Sequence, residues 1–167
     1  MSLFDRFKKK KTEVSKPLPV NSSVVKKVEL KKIDYHPKIL LAWAQSISGN
    51  KDISAWLNEN GYPELVIAAA AIRLKDEART WLMENGFAHI MAMIHAAEGD
   101  EKAQKWLLKY KFDLLYHIAM AVEHENESWL WLKKNATPDI FILTQEIKKV
   151  KDKIEENHND IHSFRRD

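Results

Sequence analysis

A Trp-Leu pair recurs at a fixed interval through the middle of the chain, and this period constrains the fold more than any other feature. The tryptophans are spaced by 25 residues, and each is followed directly by leucine. The four pairs are Trp56-Leu57, Trp81-Leu82, Trp106-Leu107 and Trp131-Leu132. Such a period is typical of stacked units, each too small to bury its own apolar face. We expect these pairs to form a core column.

Each unit predicts two short helices. The first carries apolar residues at i, i+3 and i+4, as in Ile53, Trp56 and Leu57. Gly61 follows it, where a left-handed residue ends many helices, and Pro63 suits the first turn of the next helix. Asn50 and Asp100 are predicted N-caps of their copies.

The second helix of each unit has apolar residues at i, i+3, i+4 and i+7, interrupted only by Thr144. The four sets are Leu65-Ala68-Ala69-Ile72, Ile90-Met93-Ile94-Ala97, Leu115-Ile118-Ala119-Val122 and Ile140-Leu143-Thr144-Ile147. Stacked copies would bury these faces in one continuous core. The predicted fold is therefore all-α, an α-α superhelix (solenoid) of about four 25-residue helix pairs, with a degenerate first unit from Pro37 and a long C-terminal helix.

The pattern divides the chain into three parts. Residues 1–22, with consecutive lysines and two prolines, are predicted to be a basic, disordered arm. Residues 23–147 are predicted to form the helical-repeat solenoid, and residues 148–167 a C-terminal helix extension. The segment 23–35 fits neither the helical nor the strand period cleanly, and we expect a short helix that begins the stack.

The C-terminal helix carries an apolar seam with heptad spacing between residues 140 and 164. Its later members Val150, Ile154, Ile161 and Phe164 lie beyond the length of one unit and need a surface to cover them. Two arrangements fit this need. The helix folds back on the first helices, around residues 24–33, or it pairs with a second copy in a homodimer, which Asn157 in the seam favours.

Charge is divided unevenly along the chain, whose net charge is +3. Residues 1–38 contain 11 Lys and Arg against 4 Asp and Glu, whereas residues 39–167 contain 16 against 20. The acidic body argues against nucleic-acid binding, which places positive charge on the binding surface. The basic arm suggests an alternative, a weak contact with a membrane surface or another polyanion.

The residue content also limits the compartment and the chemistry. The absence of cysteine fits a reducing compartment, and no apolar run approaches the roughly 18 residues of a membrane span. We expect a cytoplasmic protein that is not secreted, with the arm allowing peripheral attachment to a membrane. With no cysteine, no Gly-rich phosphate loop among 4 glycines and no evident Ser-His-acid pattern, we predict no catalytic residue and no cofactor.

Histidine pairs do not predict a metal site. His158 and His162 lie four residues apart on the predicted C-terminal helix, but a structural zinc site needs four ligands. His124 lies between Glu123 and Glu125, which a charged loop explains. We therefore predict no bound metal.

Part of each unit resembles an ankyrin repeat. Residues 99–108 resemble the second helix of that repeat and its Gly-His-x-x-x-Val-x-x-Leu-Leu pattern, and residues 55–61 resemble the end of that helix with its Asn-Gly cap. The 25-residue period is shorter than the ankyrin period of about 33 residues and leaves no room for its β-hairpin. The resemblance thus implies a hairpin-less ankyrin-like array or a HEAT-like solenoid, and in either case a binding scaffold without an activity.

The second helices have a further face whose residues change from copy to copy. It lies one, two and five positions after the first core residue. Its predicted partner-binding members are Met91, His95, Tyr116, His117 and Met120. Burial between neighbouring helices is the other interpretation of this face, and it is the one we expect for Val66, Ile67 and Ile142.

These observations favour a non-enzymatic protein-protein interaction module or scaffold whose partner is another protein. A peripheral membrane or polyanion-associated protein that acts through its arm is the alternative. A helical-repeat enzyme that acts on nucleic acid is a lower alternative, because it would have to bind through the acidic body.

Overall fold

The structure, a computed structural model, describes residues 28–163, with side chains as far as residue 159. Within this range it contains nine α-helices and no β-strand, so the predicted all-α class is confirmed. The helices are α1 Pro37–Ser48, α2 Lys51–Glu59, α3 Pro63–Ile72, α4 Asp76–Glu84, α5 Ala88–Ala97, α6 Glu101–Lys109, α7 Asp113–Val122, α8 Asn126–Asn135 and α9 Pro138–Ser163. None of the helices described here combines the length and apolarity that crossing a membrane requires.

The backbone repeats with the same interval as the sequence. Helices α2, α4, α6 and α8 begin at residues 51, 76, 101 and 126, and α3, α5, α7 and α9 begin at 63, 88, 113 and 138. Residues with positive φ fall at two positions of this period. They are Gly49, Leu74, Gly99 and His124 in one position, and Gly61, Gly86 and Lys111 in the other. The corners that separate the helices therefore recur with the period of the Trp-Leu pairs, except at Ala136 in the last unit, whose φ is −106°.

Two predicted helix caps are present. The Asn50 side chain accepts a hydrogen bond from the Ile53 N–H at 3.2 Å. The Asp100 carboxylate accepts from the N–H groups of Lys102 and Ala103 at 2.8 and 3.2 Å. These bonds lower the pKa of Asp100, because they stabilise its charged form. Both caps satisfy N–H groups that have no partner inside the helix.

The odd-numbered and even-numbered helices occupy different places. Helices α1, α3, α5, α7 and α9, the inner helices, contact one another in that order, and α9 then packs extensively against α1. Helices α2, α4, α6 and α8, the outer helices, each contact only the two inner helices that flank them in the chain. An open superhelix would hold its first and last helices apart, whereas here the contacts between inner helices form a closed circuit.

The core uses the leucine of each Trp-Leu pair more fully than the tryptophan. Leu57, Leu82, Leu107 and Leu132 have 0% exposed surface. Trp56 is 43% exposed, and the other three tryptophans of the pairs are partly buried. The expectation that both members form the core is therefore wrong for Trp56. The leucines belong to the buried core, whereas Trp81, Trp106 and Trp131 are partly buried and pack against it.

Trp81 and Trp106, two of the partly buried tryptophans, stack on the aromatic residue that precedes the next inner helix. Trp81 stacks on Phe87 with ring centroids 6.0 Å apart, and Trp106 stacks on Phe112 at 5.6 Å. Each phenylalanine is the N-cap residue of its helix and makes no side-chain capping bond. Its ring serves instead to join the outer helix to the inner one.

The predicted long C-terminal helix is present as α9, and it lies along α1. Val150 is buried and Ile154 is half-buried, so this part of the seam is covered within the chain. Helix α9 packs mainly against α1, the first helix, so the expected fold-back on the first helices is present in the described residues. Residues 24–27 of the expected segment 24–33 lie outside them. The buried Thr144 donates its hydroxyl to the Ile140 carbonyl at 2.8 Å, which satisfies the polar interruption. The side chains of Ile161 and Phe164 lie outside the description, and the homodimer stays a prediction.

Residues 28–36 form no helix, contrary to the expectation for this part of segment 23–35. We call this segment the strap. The Lys31 N–H donates to the Gly86 carbonyl at 2.9 Å, and the Tyr35 hydroxyl donates to Glu64 at 2.8 Å. These bonds draw the strap across the N-terminal ends of α5 and α3, and a helix would have used the Lys31 N–H internally.

Gly86 allows the strap to approach closely. Its φ is +90°, and a Cβ built on it would lie 2.6 Å from the Glu29 carbonyl oxygen. Only glycine accepts both the left-handed conformation and the contact without displacement of the strap. Residues 1–22, the predicted arm, lie outside the described residues.

Candidate binding sites

Neighbouring outer helices do not contact one another, and we call the spaces between them, above the inner helices, the grooves. Val66, Ile67 and Ala70 on α3 line a shallow concavity of about 320 Å³ together with Ala78 and Trp81 on α4. These α3 residues belong to the variable face that the sequence indicates. Val66 and Ile67 are half-buried and pack against the core, so the expected burial between neighbouring helices is present only in part. Ile142 is 41% exposed, so the expectation is wrong for this residue.

The predicted partner-binding residues occupy equivalent places on the next two inner helices. His95, Tyr116, His117 and Met120 are partly exposed. Met91 is 1% exposed, so a partner cannot reach it in this conformation. Its burial follows from the position of α5, which is packed by α3, α4, α6 and α7 together. The structure thus brings four of the five residues to the surface on two neighbouring helices.

His117 is fixed by neighbours on α8 and the preceding loop. Its ring stacks on Trp131 with centroids 4.0 Å apart, and its Nδ1 lies 3.0 Å from the Ser128 hydroxyl oxygen. That hydroxyl donates to Glu125 at 2.5 Å. Burial lowers the pKa of His117, and the nearby Glu125 and Asp113 carboxylates act in the opposite direction.

Sequence reasoning missed this Ser-His-acid cluster, although the period contains the signal. Moving His117 and Ser128 back by two units places them at Ile67 and Ala78, and those two residues line the same concavity. Residues that face each other in one unit therefore indicate which residues meet in the next.

The cluster is not arranged for nucleophilic catalysis. In a serine nucleophile the histidine accepts the hydroxyl proton and the carboxylate orients the histidine. Here the hydroxyl of Ser128 donates to Glu125, so the Nδ1–H of His117 donates to the hydroxyl oxygen. Ser128 is also 1% exposed, which leaves no space for a substrate carbonyl. The bonds hold His117 in place at the groove surface.

The inner helices enclose an apolar cavity that opens toward both ends of the circuit. The half at their C-terminal ends has a volume of about 170 Å³ and is bordered by Glu98, Lys151 and Glu155. The half at their N-terminal ends has a volume of about 230 Å³ and is bordered by the strap. Met93 and Ile118 line both halves and separate them.

Two buried ring systems near the strap lack hydrogen-bond partners among the described residues. In Trp43 the unpaired atom is the indole nitrogen, and in His89 both ring nitrogens are unpaired. His89 is 1% exposed and lies between the rings of Phe87 and Phe112, at 6.3 and 5.4 Å. Burial lowers the pKa of His89, and the nearby Lys31 backbone acts in the opposite direction. The imidazole is therefore neutral at neutral pH.

One group in the described part of the chain has the spacing of a metal site. The ligand atoms of His124, Asp152 and Glu155 lie within 4.8 Å of one another. The Lys148 ammonium, however, lies 3.0 Å from His124 Nδ1 and 2.9 Å from both oxygens of Asp152. A lysine cation thus already neutralises this carboxylate, and the group is a surface ion network. The His162 side chain lies outside the described residues, so its predicted lack of a metal partner stays a prediction.

Comparisons of the chain with protein families, with curated proteins and with solved structures found no match. Its own residues therefore carry what can be inferred about its function.

Proposed function

We propose that the chain is a non-enzymatic protein-protein interaction module, a helical-repeat solenoid whose first and last inner helices meet. The partner lies in the grooves between the outer helices. The observation that supports this proposal best is a set of large apolar side chains that remain exposed on the outer helices and at their ends. They are Trp56, Met83, Leu108, Tyr110 and Leu130, with exposures from 43% to 69%. Exposed apolar side chains that together form a contiguous surface typically mark an interaction site.

The composition of the grooves fits a protein partner. The tryptophan beside each groove recurs in every unit, whereas the floor changes from Ile67 in the first groove to His117 in the third. Constant aromatic walls supply contact area, and a variable floor supplies discrimination between partners. Because residues 39–167 carry more acidic than basic side chains, we expect basic residues around the partner's apolar segment.

A photo-crosslinking experiment tests the groove. A photoreactive phenylalanine analogue replaces Ile67 in the full chain, and a control chain carries the analogue at the exposed Lys133. After irradiation in the native cell, we expect a discrete crosslinked protein from position 67 and none from position 133. Equal crosslinking from both positions, or none from position 67, would contradict the groove as the binding site.

A charge substitution tests the same surface without a crosslinker. Ile67→Asp should abolish capture of the crosslinked protein, and Lys133→Asp should leave capture unchanged. Far-UV circular dichroism of both variants checks that their helix content is retained. Undiminished capture by a folded Ile67→Asp chain would remove the groove from the proposal.

Deletion of residues 1–22 separates this proposal from the membrane or polyanion alternative. Capture of a protein partner should survive the deletion. Salt-sensitive binding to anionic vesicles that the deletion abolishes would favour the alternative, which is motivated by the basic excess of residues 1–38.

The homodimer is a separate partner proposal. Sedimentation of the full chain against a chain that ends at Lys149 should show a larger mass for the full chain only, if α9 pairs with a second copy. A monomer in both cases, at concentrations well above micromolar, would leave α9 with α1 as its partner.

A further inference from the structure

We propose that residues 3–11 of this chain dock in the first groove and compete there with the protein partner. The regulatory effect rests on the proposed function, since the groove must also be the partner's site. The docking itself takes place within one chain and needs no partner. The first groove is the concavity lined by Val66, Ile67 and Ala70 on α3 and by Ala78 and Trp81 on α4.

The described part of the chain begins beside this groove. The Lys31 backbone is bonded to Gly86 at the corner between α4 and α5. Its ammonium lies 5.2 Å from the centre of the Phe87 ring, and Phe87 stacks on the groove residue Trp81 at 6.0 Å. A basic side chain of the strap therefore already contacts the aromatic pair at the groove wall. Residues 1–27 join the fold at this side.

The tether is long enough for docking within the chain. Twenty residues separate Phe7 from Val28, the first described residue, and they span up to about 70 Å at about 3.3 Å per residue. The groove lies next to the strap, so this reach exceeds what the docking requires. Attachment to the same chain also raises the local concentration of the segment to the order of 1 mM, which favours docking within a chain over docking between copies.

The apolar side chains of the segment match the groove in size. Leu3, Phe4 and Phe7 lie within five residues, and the two phenylalanines are the only aromatic residues of the sequence 1–27. The concavity has a volume of about 320 Å³, and its five apolar lining residues are all half-buried, so a ring can reach them. An apolar cavity of about 150 Å³ holds one benzene ring, so by proportion the groove accepts about two.

The charges of the segment and of the groove are complementary. Lysines occupy positions 8–11, directly after the apolar residues, and residues 1–27 contain 8 Lys and Arg against 2 Asp and Glu. Glu77, the sixth lining residue, is exposed at the rim of the groove. Residues 51–86, which include α2, α3 and α4, contain 6 acidic and 4 basic side chains, whereas residues 87–111 beside the next groove contain 3 and 4. The lysines therefore favour the first groove over the second.

A spin label tests the docking in the full chain. The sequence contains no cysteine, so Ser2→Cys provides one labelling position beside the apolar residues. A nitroxide attached there broadens the signals of nearby nuclei. We expect the ¹H–¹⁵N signals of Ile67 and Ala78 to lose intensity relative to the same chain with the label reduced. Signals of α8, which contacts neither α3 nor α4, should keep their intensity.

A double substitution is the matched control. Phe4→Ser with Phe7→Ser keeps every charge and the tether length, and both positions lie outside the described residues. We expect docking to weaken about a hundredfold, because both rings lose their apolar contact, and the intensity loss at Ile67 should largely disappear. A peptide of residues 1–15 should bind the double variant about tenfold more tightly than the wild-type chain, whose groove is already occupied.

Three outcomes would overturn the docking. Equal intensity loss at Ile67 in the wild-type and doubly substituted chains would mean that tether proximity alone brings the label there. Broadening in unlabelled ¹⁵N chains mixed with labelled chains would show docking between copies. Equal peptide affinity for the two chains, or no binding to either, would remove the competition.

The docking and the proposed function fail separately. None of these measurements involves the partner, so a negative result leaves the groove as a partner site. Conversely, the doubly substituted chain with the photoreactive analogue at position 67 has an open groove. Absence of a crosslinked protein from that chain would contradict the proposed function and leave the spin-label result standing.

Discussion

Inner and outer helices bury very different shares of their residues. Helix α5 buries seven of its ten residues, whereas the neighbouring outer helix α6 buries only Leu107 of its nine. Both helices carry apolar residues at helical spacing, yet one is enclosed and the other is attached along a single line. The difference teaches that the outer layer depends on one leucine per helix, while the inner layer depends on many contacts that act together.

The largest expected effect is in the inner layer. Ile118→Ala removes a side chain that is 2% exposed and separates the two halves of the cavity. We expect a loss of about 2–5 kcal/mol in the free energy of unfolding, because the cavity enlarges and cannot collapse fully. Denaturant unfolding followed by circular dichroism measures this loss. Unfolding in two separate steps would contradict an inner layer that acts as one unit.

Two adjacent residues on α2 test whether an outer helix depends mainly on its one buried leucine. Leu57→Ala removes a side chain with 0% exposure, and Trp56→Ala removes one that is 43% exposed. We expect about 2–4 kcal/mol for Leu57→Ala and about 1–2 kcal/mol for Trp56→Ala, although the indole is the larger group. Hydrogen exchange should show faster opening of α2 in Leu57→Ala. The reverse order of the two losses would restore the tryptophans as the main core column.

Two glycines at equivalent positions before inner helices allow the contribution of the strap to stability to be measured. Gly61→Ala changes only backbone conformation, since no atom lies within 4 Å of the added Cβ, and its φ is +87°. We expect it to cost roughly 1 kcal/mol. Gly86→Ala has the same conformational penalty and also places its Cβ against the Glu29 carbonyl, so we expect roughly 1 kcal/mol more. Thermal unfolding of both variants gives the difference, and equal losses would show that the strap contributes little to α5.

The smallest expected effect concerns the pH dependence of stability. The pKa of His89 is lowered in the folded chain, whereas in the unfolded chain it returns to its ordinary value of 6.5. Below that pH the unfolded state therefore binds more protons, and stability falls as pH falls. His89→Leu should reduce this fall between about pH 7.5 and about pH 5.5, as measured by unfolding midpoints. An unchanged pH dependence would mean that His89 titrates normally when folded.

The periodic part of the fold could be predicted from the sequence, because its signals are local. The Trp-Leu spacing and the glycine and proline positions predict the helix pairs from α2 onward, but not the corners with positive φ at Leu74, Lys111 and His124. The strap could not be predicted, since its conformation depends on a hydrogen bond between Lys31 and the distant Gly86. The packing of α9 on α1 is equally non-local, so the apolar seam predicted a need for cover without identifying the covering helix.

The candidate sites also divide into features that local sequence signals predict and features that depend on non-local contacts. The period predicts which residues of the inner helices face the grooves, and four of the five predicted residues reach the surface. It does not predict that Met91 is enclosed, because α5 gains neighbours on every side only in the assembled fold. The cavity is also a property of the closed circuit, and Trp43 reads in the sequence as an ordinary apolar residue.

The contact between α1 and α9 restricts how such a chain can change its length. A tandem array with free ends can gain or lose a unit without disturbing the others, since each unit meets only its neighbours. Here an added or deleted 25-residue segment would carry α9 away from α1 and expose the surfaces that the two helices now share. The number of units is therefore fixed by the requirement that α1 and α9 meet.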